Sequence, residues 1–308
     1  MSSDEDCEQT HGHTHAHVPR SFGRAFALGV ALNFGFVVVE VIFGIFAHSL
    51  ALIADAGHNM GDVLGLVLAW VASALVKTRA TDRRTYGLRS SSILAALFNA
   101  IFLLVSVGAI AWEAIRRFGV PIEVAGKTVM CVSLIGIAIN TATALMFMSG
   151  RKADLNIRSA FLHMAADAAV SAGVVLAGVA IVLTGLRWID PVVSLIIAGV
   201  IVWGTWGLLR DSVNLALQAV PAEINLGEVR KYLAGLPHVT TVHDLHVWPM
   251  STTETALTVH LEVPTGLSGD AFLREVCEHL HQQFGIEHST IQIEQNAERC
   301  SLAPERSV

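Results

Sequence analysis

Six long apolar runs dominate the sequence between residues 25 and 209. They cover residues 25–47, 50–76, 93–112, 129–149, 160–183 and 191–209. An α-helix needs about 20 apolar residues to cross the hydrocarbon core of a bilayer, so the pattern predicts six membrane-spanning helices. The first twenty residues are acidic and histidine-rich, without the basic stub and short apolar stretch of a signal peptide.

After residue 210 the hydrophobic pattern changes to that of a small water-facing domain. It predicts, in order, a helix, two alternating strands, a helix and a strand, at residues 226–234, 239–248, 255–263, 268–284 and 290–295. This αββαβ order is typical of a small α+β domain. We therefore expect four parts: a disordered tail (1–21), a six-helix transmembrane domain (22–210), an α+β domain (211–298) and a C-terminal tail (299–308).

The charge distribution supports this division. Charged residues make up 15% of the chain, against about 25% in ordinary soluble proteins. Residues 21–210 carry nine acids and fourteen bases, whereas residues 211–308 carry thirteen acids and five bases. An acidic terminal domain excludes a nucleic-acid binder built on a basic surface. The cysteines (Cys7, Cys131, Cys277, Cys300) lack CxxC spacing and form neither a disulfide framework nor a zinc ribbon.

Lysine and arginine counts predict the orientation in the membrane. With a cytoplasmic N-terminus, the inner segments carry eleven of these residues and the outer loops carry four. Cytoplasmic loops are the ones enriched in positive charge. Six spans then place both termini and the α+β domain in the cytoplasm.

Ionisable side chains inside two of the spans indicate a metal site. The second span contains His58 and Asp62, and the fifth contains His163 and Asp167. In each span the aspartate follows the histidine by four residues, so the two side chains share one helix face. Two imidazoles and two carboxylates make a ligand set suited to tetrahedral zinc. The alternative is that each histidine and aspartate satisfy one another within a single helix.

Neighbouring residues bear on this hypothesis. Asp55 could orient the imidazole of His58 from outside the ligand shell, or it could be solvated near the membrane edge. Glu40 in the first span is interpreted as a helix-packing or cavity carboxylate. Small residues recur every four positions beside the aspartates, and we expect these stripes to bring the ligand-bearing helices close together; in the second span they are Gly57, Gly61 and Gly65.

These motifs resemble those of the cation diffusion facilitators, six-span zinc exporters with a cytoplasmic C-terminal domain. The matching segments include SLALIADAGHNMGD, LNIRSAFLHMAADAAVS, VHDLHVWPMS and EHSTIQIE. The resemblance implies a transport site at His58, Asp62, His163 and Asp167. It also implies a ferredoxin-like C-terminal domain that dimerises, and export of zinc, and also cadmium, in exchange for protons. Arg89 stands where many relatives have a histidine, which argues against a further metal site in that loop.

A second metal site is predicted in the C-terminal domain. Strand alternation places His260 and Glu294 on exposed faces, and the family resemblance adds His243. Alternation alone does not place His243 with them, because His243 shares parity with Leu245. Alternation places His246 on the polar face instead. A β-bulge would reconcile the alternation with the family resemblance. His288 is a candidate fourth ligand. The alternative is a solvated acidic face without metal.

The N-terminal segment HGHTHAH has histidines at alternate positions: His11, His13, His15 and His17. It resembles a metal-attracting tail, or it is a disordered solvated segment without that role.

The sequence therefore predicts a homodimeric zinc/proton antiporter of the bacterial inner membrane that works by alternating access. We expect zinc to be the transported substrate, and it is a candidate regulatory ligand as well. Cadmium, cobalt and nickel are further candidate substrates. No separate cofactor is expected, and nucleic acid is not expected as a partner. One alternative is a metal sensor or storage protein. The other, an intramembrane metalloenzyme, is disfavoured because the sequence lacks HExxH, so we expect that the chain is not an enzyme.

Overall fold

The structure is a computed structural model that describes residues 20–76, 78–120, 122–148, 155–264, 269–296 and 300. Side chains are not described for residues 20–30, 66, 69, 73, 147 and 155–160. The histidines of the predicted N-terminal tail lie outside the described residues, as does the predicted C-terminal tail apart from Cys300.

Six helices follow the six apolar runs. They are α1 (Arg20–Phe46), α2 (Leu50–Val76), α3 (Ser91–Gly119), α4 (Gly126–Met148), α5 (Leu155–Thr184) and α6 (Ile189–Ala216). Helices α2 to α6 each contain a stretch that is long and apolar enough to cross a membrane. In α1 the side chains are described from Ala31 onward, and this part, Ala31–Phe46, is a shorter apolar helix. The predicted helical membrane domain is confirmed.

The described residues divide into two compact units, those within 1–59 and 117–194 and those within 60–116 and 195–308. In the first unit, α4 and α5 approach closely through glycines. A Cβ on Gly178 would lie 3.1 Å from the carbonyl oxygen of Gly126. A Cβ on Gly136 would lie 2.5 Å from the Phe36 ring of α1. Side chains at these positions would push the helices apart.

A buried carboxylate in the same unit fixes the start of α2. Asp190, in the first turn of α6, accepts hydrogen bonds from the Leu50 amide at 2.8 Å, the Ala51 amide at 3.3 Å and the Ser49 hydroxyl at 2.5 Å. Asp190 Oδ2, which accepts from the Leu50 amide, also lies 3.6 Å from Arg117 Nη1. The first amides of a helix have no partner within the helix, and Asp190 supplies one.

In the second unit, the small-residue stripe of α2 packs against α3. A Cβ on Gly61 would lie 2.0 Å from Leu103 Cδ2, and one on Gly65 would lie 2.9 Å from Asn99 Nδ2. We expected this stripe to bring the ligand-bearing helices together. For Gly61 and Gly65 that expectation is wrong, because the face they occupy is filled by side chains of α3.

The C-terminal domain has the predicted αββαβ order. Its elements are α7 (Leu226–Ala234), β1 (Thr241–Pro249), β2 (Thr255–Glu262), α8 (Asp270–Phe284) and β3 (His288–Glu294). The sheet order is β1-β2-β3; β1 and β2 are antiparallel, and β2 and β3 are parallel. The small α+β domain predicted from the sequence is confirmed.

One face of this sheet forms the core of the domain. Residues from β2 pack with α7 and α8 in a cluster that includes Leu257, Val259, Leu261, Val229, Leu233, Val276 and Leu280. The opposite face carries the alternate residues of β2, including Thr258 and His260. The helices therefore leave that face free for polar side chains.

Candidate metal centres

Three of the four predicted membrane ligands meet in the first unit. His58 Nε2 of α2 lies 3.4 Å from Asp167 Oδ1, and His163 Nε2 of α5 lies 3.7 Å from Asp167 Oδ2. The ring centroids of His58 and His163 are 6.1 Å apart. Asp167 therefore faces imidazoles from two helices, and not only the histidine of its own helix.

The spacing of these atoms suits a shared cation. In a tetrahedral site with bonds of about 2.0–2.1 Å, neighbouring nitrogen and oxygen ligands lie about 3.3 Å apart. Asp167 is 1% exposed, and among the described residues neither carboxylate oxygen has a hydrogen-bond donor. A buried carboxylate without hydrogen bonds is costly, and a bound divalent cation would remove that cost.

Asp62 is the fourth predicted ligand. It lies one turn beyond His58 within α2 and is partly buried. Side chains four residues apart lie on one helix face, so α2 presents Asp62 on the same side as the His58 imidazole.

Two further carboxylates are buried in the same unit. Asp55 is 0% exposed and accepts a hydrogen bond from the Ser171 hydroxyl of α5 at 3.1 Å. The alternative of a solvated Asp55 at the membrane edge is therefore wrong. Glu40 of α1, also 0% exposed, accepts a hydrogen bond from the Asn59 amide at 3.1 Å. Both carboxylates join α2 to a neighbouring helix beside the cluster.

A second cluster lies on the open face of the C-terminal sheet. Glu294 of β3 lies between two imidazoles, with Oε2 3.2 Å from His243 Nε2 and Oε1 3.1 Å from His260 Nδ1. We expected His260 on an exposed face, but it is only 9% exposed. The reason is that β2 is the central strand, so His260 is covered by its neighbours on both sides. Glu294, at the edge strand, is partly buried.

A β-bulge in β1 brings His243 into this cluster. His243 pairs with His260 and His246 pairs with Thr258, so three steps along β1 match two along β2. The bulge includes Asp244, whose φ is +49°. His243 therefore lies on the His260 face, as the bulge hypothesis required. His246 is instead exposed and pairs with Asp244 at 2.9 Å.

The sequence interpretation missed Cys300. Its Sγ lies 3.6 Å from His260 Nδ1, and donor atoms of His243, His260, Glu294 and Cys300 lie within 4.8 Å of one another. A single cysteine after the last strand carries no spacing signal. His288, the candidate fourth ligand, pairs with Ala256 towards the other end of the strand and packs on the Tyr86 ring.

The electrostatics of Glu294 favour its ionised form. Burial acts to raise the pKa of this carboxyl. Hydrogen bonds from the Cys300 thiol and the Gln292 amide, together with the two nearby imidazoles, outweigh burial and hold the pKa below its ordinary value. Metal binding requires an ionised carboxylate, so Glu294 is in the state that a cation needs.

The turn between β1 and β2 contacts the loop before α3. Arg89 Nη1 lies 2.8 Å from Glu254 Oε1. The Thr252 amide donates to the Ser92 hydroxyl at 3.0 Å, and the Ser90 hydroxyl donates to the Met250 carbonyl at 3.3 Å. Arg89 is thus part of a junction between the C-terminal sheet and α3.

Two family models together match most of the chain. Residues 26–215 match the cation efflux transmembrane domain, and residues 221–296 match the cytoplasmic domain of cation efflux proteins.

Several bacterial transporters are similar over most of their length. The metal cation efflux system protein CzcD of Cupriavidus metallidurans is 35% identical, covering 92% of this chain and 90% of that protein. The zinc transporter ZitB of Escherichia coli is 34% identical, covering 92% of each chain. A cadmium, cobalt and zinc/H(+)-K(+) antiporter of Bacillus velezensis is 33% identical, again covering 92% of each.

Proposed function

Since the chain belongs to the cation efflux family, we propose that it exports zinc from the cytoplasm in exchange for protons. The chain is a multi-pass membrane protein and a divalent metal efflux transporter. Zinc as substrate rests on the imidazole and carboxylate donors and on the similarity to zinc transporters. Cadmium, cobalt and nickel are proposed as further substrates, since the same donors accept several divalent ions.

The transport site consists of His58, Asp62, His163 and Asp167. The observation that supports it best is the approach of His58 and His163 to the two oxygens of Asp167, at 3.4 and 3.7 Å. These residues lie on α2 and α5, so a change in the position of either helix alters the ligand set. Alternating access through such a change would take up zinc on one side of the membrane and release it on the other.

Proton exchange follows from the chemistry of the ligands. An imidazole binds metal only in its neutral form, and a carboxylate only when ionised. Protonation of His58 or His163 therefore competes with zinc, and histidine is the side chain that titrates near neutral pH. Protons entering from the outer side would displace the ion there.

The surroundings of the transporter are also part of this proposal. The excess of positive charge in alternate loops supports cytoplasmic termini, and the bacterial relatives support the inner membrane as location. The match to the cytoplasmic domain supports a homodimer built through residues 211–298, following the transmembrane domain at 22–210. The histidine tail is proposed to collect zinc at the inner surface.

The C-terminal cluster is proposed as a regulatory zinc site. His243, His260 and Glu294 supply three donors on one face of a sheet whose β1–β2 turn contacts the start of α3. Zinc bound there would stiffen the sheet next to that junction. The role is sensing, because the donors lie in the α+β domain and not among the membrane-spanning helices.

Metal flux in sealed vesicles tests the transport function. Purified protein in proteoliposomes should move zinc down a gradient and move protons in the opposite direction, followed with a zinc dye and a pH dye. A panel of cadmium, cobalt, nickel and manganese would rank the substrates. A sensor, a storage protein or an enzyme would bind zinc without flux, and that result would overturn the proposal.

A further inference from the structure

We propose that Cys300 supplies a thiolate as the fourth ligand of a metal centre with His243, His260 and Glu294. This inference rests on the proposed C-terminal site and deepens it, because a sulfur donor changes which metals the site selects. Cys300 lies six residues beyond the end of β3, after the sheet is complete.

The distances around His260 fit one tetrahedral ion. With a metal–sulfur bond of about 2.3 Å and a metal–nitrogen bond of about 2.0–2.1 Å, sulfur and nitrogen ligands lie about 3.5–3.6 Å apart. Cys300 Sγ is 3.6 Å from His260 Nδ1. The oxygen of Glu294 nearest to that nitrogen lies at 3.1 Å. Cys300 Sγ and Glu294 Oε1 thus both lie close enough to His260 Nδ1 to share one ion with it.

The surroundings of His243 independently indicate that an ion binds there. Its side chain is 2% exposed, and among the described residues neither ring nitrogen takes part in a hydrogen bond. The approach of its Nε2 to Glu294 Oε2, at 3.2 Å, lacks hydrogen-bond geometry. A buried imidazole without hydrogen bonds is costly unless something binds it, and a cation beside Glu294 would do so.

A carboxylate lies beside the ring nitrogen of His260 that faces away from Cys300 and Glu294. Asp244, at the bulge, lies 3.5 Å from His260 Nε2, while His260 Nδ1 faces Cys300 and Glu294. Ligand histidines commonly donate their second N–H to a carboxylate, which fixes the tautomer. With a metal bound at Nδ1, the proton of His260 would lie on Nε2, beside Asp244.

The thiolate determines the metal preference. Two imidazoles, a carboxylate and a thiolate favour zinc and cadmium over hard ions such as manganese. The transport site has only nitrogen and oxygen donors, so the C-terminal centre should discriminate against hard ions more strongly than the transport site does. Regulation would then respond to soft metals in the cytoplasm.

Cadmium titration of the full-length protein tests this assignment. The parent carries Asp167→Asn and Cys7→Ser, which alter the transport site and remove the tail thiol. It should bind cadmium with a thiolate-to-cadmium charge-transfer band in the ultraviolet. Cys300→Ser should lose the band and bind cadmium at least roughly tenfold more weakly. Cys300→His, which keeps a donor, should recover affinity without the band.

Cys277→Ser is the matched control. Cys277 lies in α8 of the same domain, and burial raises the pKa of its thiol, which disfavours metal binding. This variant should keep the band and the affinity. A band that is missing in the parent, or that persists in Cys300→Ser, would overturn the proposal. Because the parent has an altered transport site, neither result depends on whether the unaltered protein transports zinc.

Discussion

Asp167 is the carboxylate that both membrane imidazoles face, so its replacement should remove transport without unfolding the protein. Asp167→Asn keeps the shape of the side chain but replaces a charged donor with a weak neutral one. We expect zinc flux to fall at least about 100-fold, since even partners outside the ligand shell cost about 10–100-fold. Proteoliposome flux measures this effect.

The matched control is Glu113→Gln, a carboxylate-to-amide change on α3 whose partner is the exposed Arg116. Its flux should equal that of the parent. Asp167→Asn should keep the size-exclusion elution volume and the circular dichroism spectrum of the parent. Lost flux would then reflect lost metal binding and not a lost fold. Parental flux in Asp167→Asn would end the assignment.

His58 sets the hardness of the transport site. His58→Asp keeps a donor at the same helical position but replaces a nitrogen with an oxygen. Carboxylate-rich sites suit manganese better than imidazole-rich ones, so the ratio of manganese to zinc flux should rise by about tenfold or more. Flux of both ions in the same vesicles checks this ratio. An unchanged ratio would mean that His58 does not contact the transported ion.

Sequence reasoning draws attention to residues whose chemistry is unusual for their surroundings and overlooks residues whose chemistry is ordinary. A histidine and an aspartate one turn apart in hydrocarbon have few explanations, so His58 and Asp167 stand out from the sequence alone. Cys300 does not, because a single cysteine after a strand has no pattern and only the fold brings it beside His260.

The start of α2 depends on a carboxylate from another helix. Asp190→Ala removes the acceptor of the Leu50 and Ala51 amides and the partner of Arg117. Both side chains of that ion pair are largely buried, at 1% and 10% exposure. We expect a loss of about 3–5 kcal/mol in the free energy of unfolding, the cost of breaking a buried pair. Thermal unfolding in detergent measures it.

Glu123→Ala provides the comparison. Glu123 is 87% exposed and lies 3.9 Å from Arg187 in the same unit. Exposed pairs contribute little to stability, so this variant should unfold at nearly the parental temperature. Equal melting temperatures for the two variants would show that Asp190 does not stabilise the start of α2.

Periodicity predicts the elements well and their contacts poorly. The period-two runs locate β1 and β2, but the extra residue at Asp244 is invisible to alternation, because a bulge changes parity without changing composition. The glycines at 61 and 65 correctly indicate close packing, yet the pattern does not say which helix approaches. Leu103 and Asn99 of α3 answer that question only in three dimensions.

The junction between the C-terminal sheet and α3 should respond to charge reversal. Arg89→Glu and Glu254→Arg each place like charges together, so each should lower the melting temperature, and the double variant should recover most of the loss. Both side chains are partly exposed, at 37% and 27%, so the interaction is expected at about 0.5–1 kcal/mol. A double-mutant cycle of thermal stability measures it.

Arg116→Glu combined with Glu254→Arg serves as the control for this cycle. Arg116 pairs within α3 with Glu113, so Glu254→Arg should not rescue it. Additive losses in the Arg89 and Glu254 cycle would show that the two residues do not interact.

The bulge at Asp244 adds one residue to β1 without moving its neighbours to the other face of the sheet. Deleting residue 244 would restore regular alternation between His243 and His246. His243 would still lie opposite His260, and Leu245 and Val247 would keep their places in the core. The deletion would instead remove the carboxylate that lies 3.5 Å from His260 Nε2. A one-residue change could thus alter the surroundings of the C-terminal centre without any change in the helices that carry His58 and His163. Sensing and transport could therefore evolve separately within one gene.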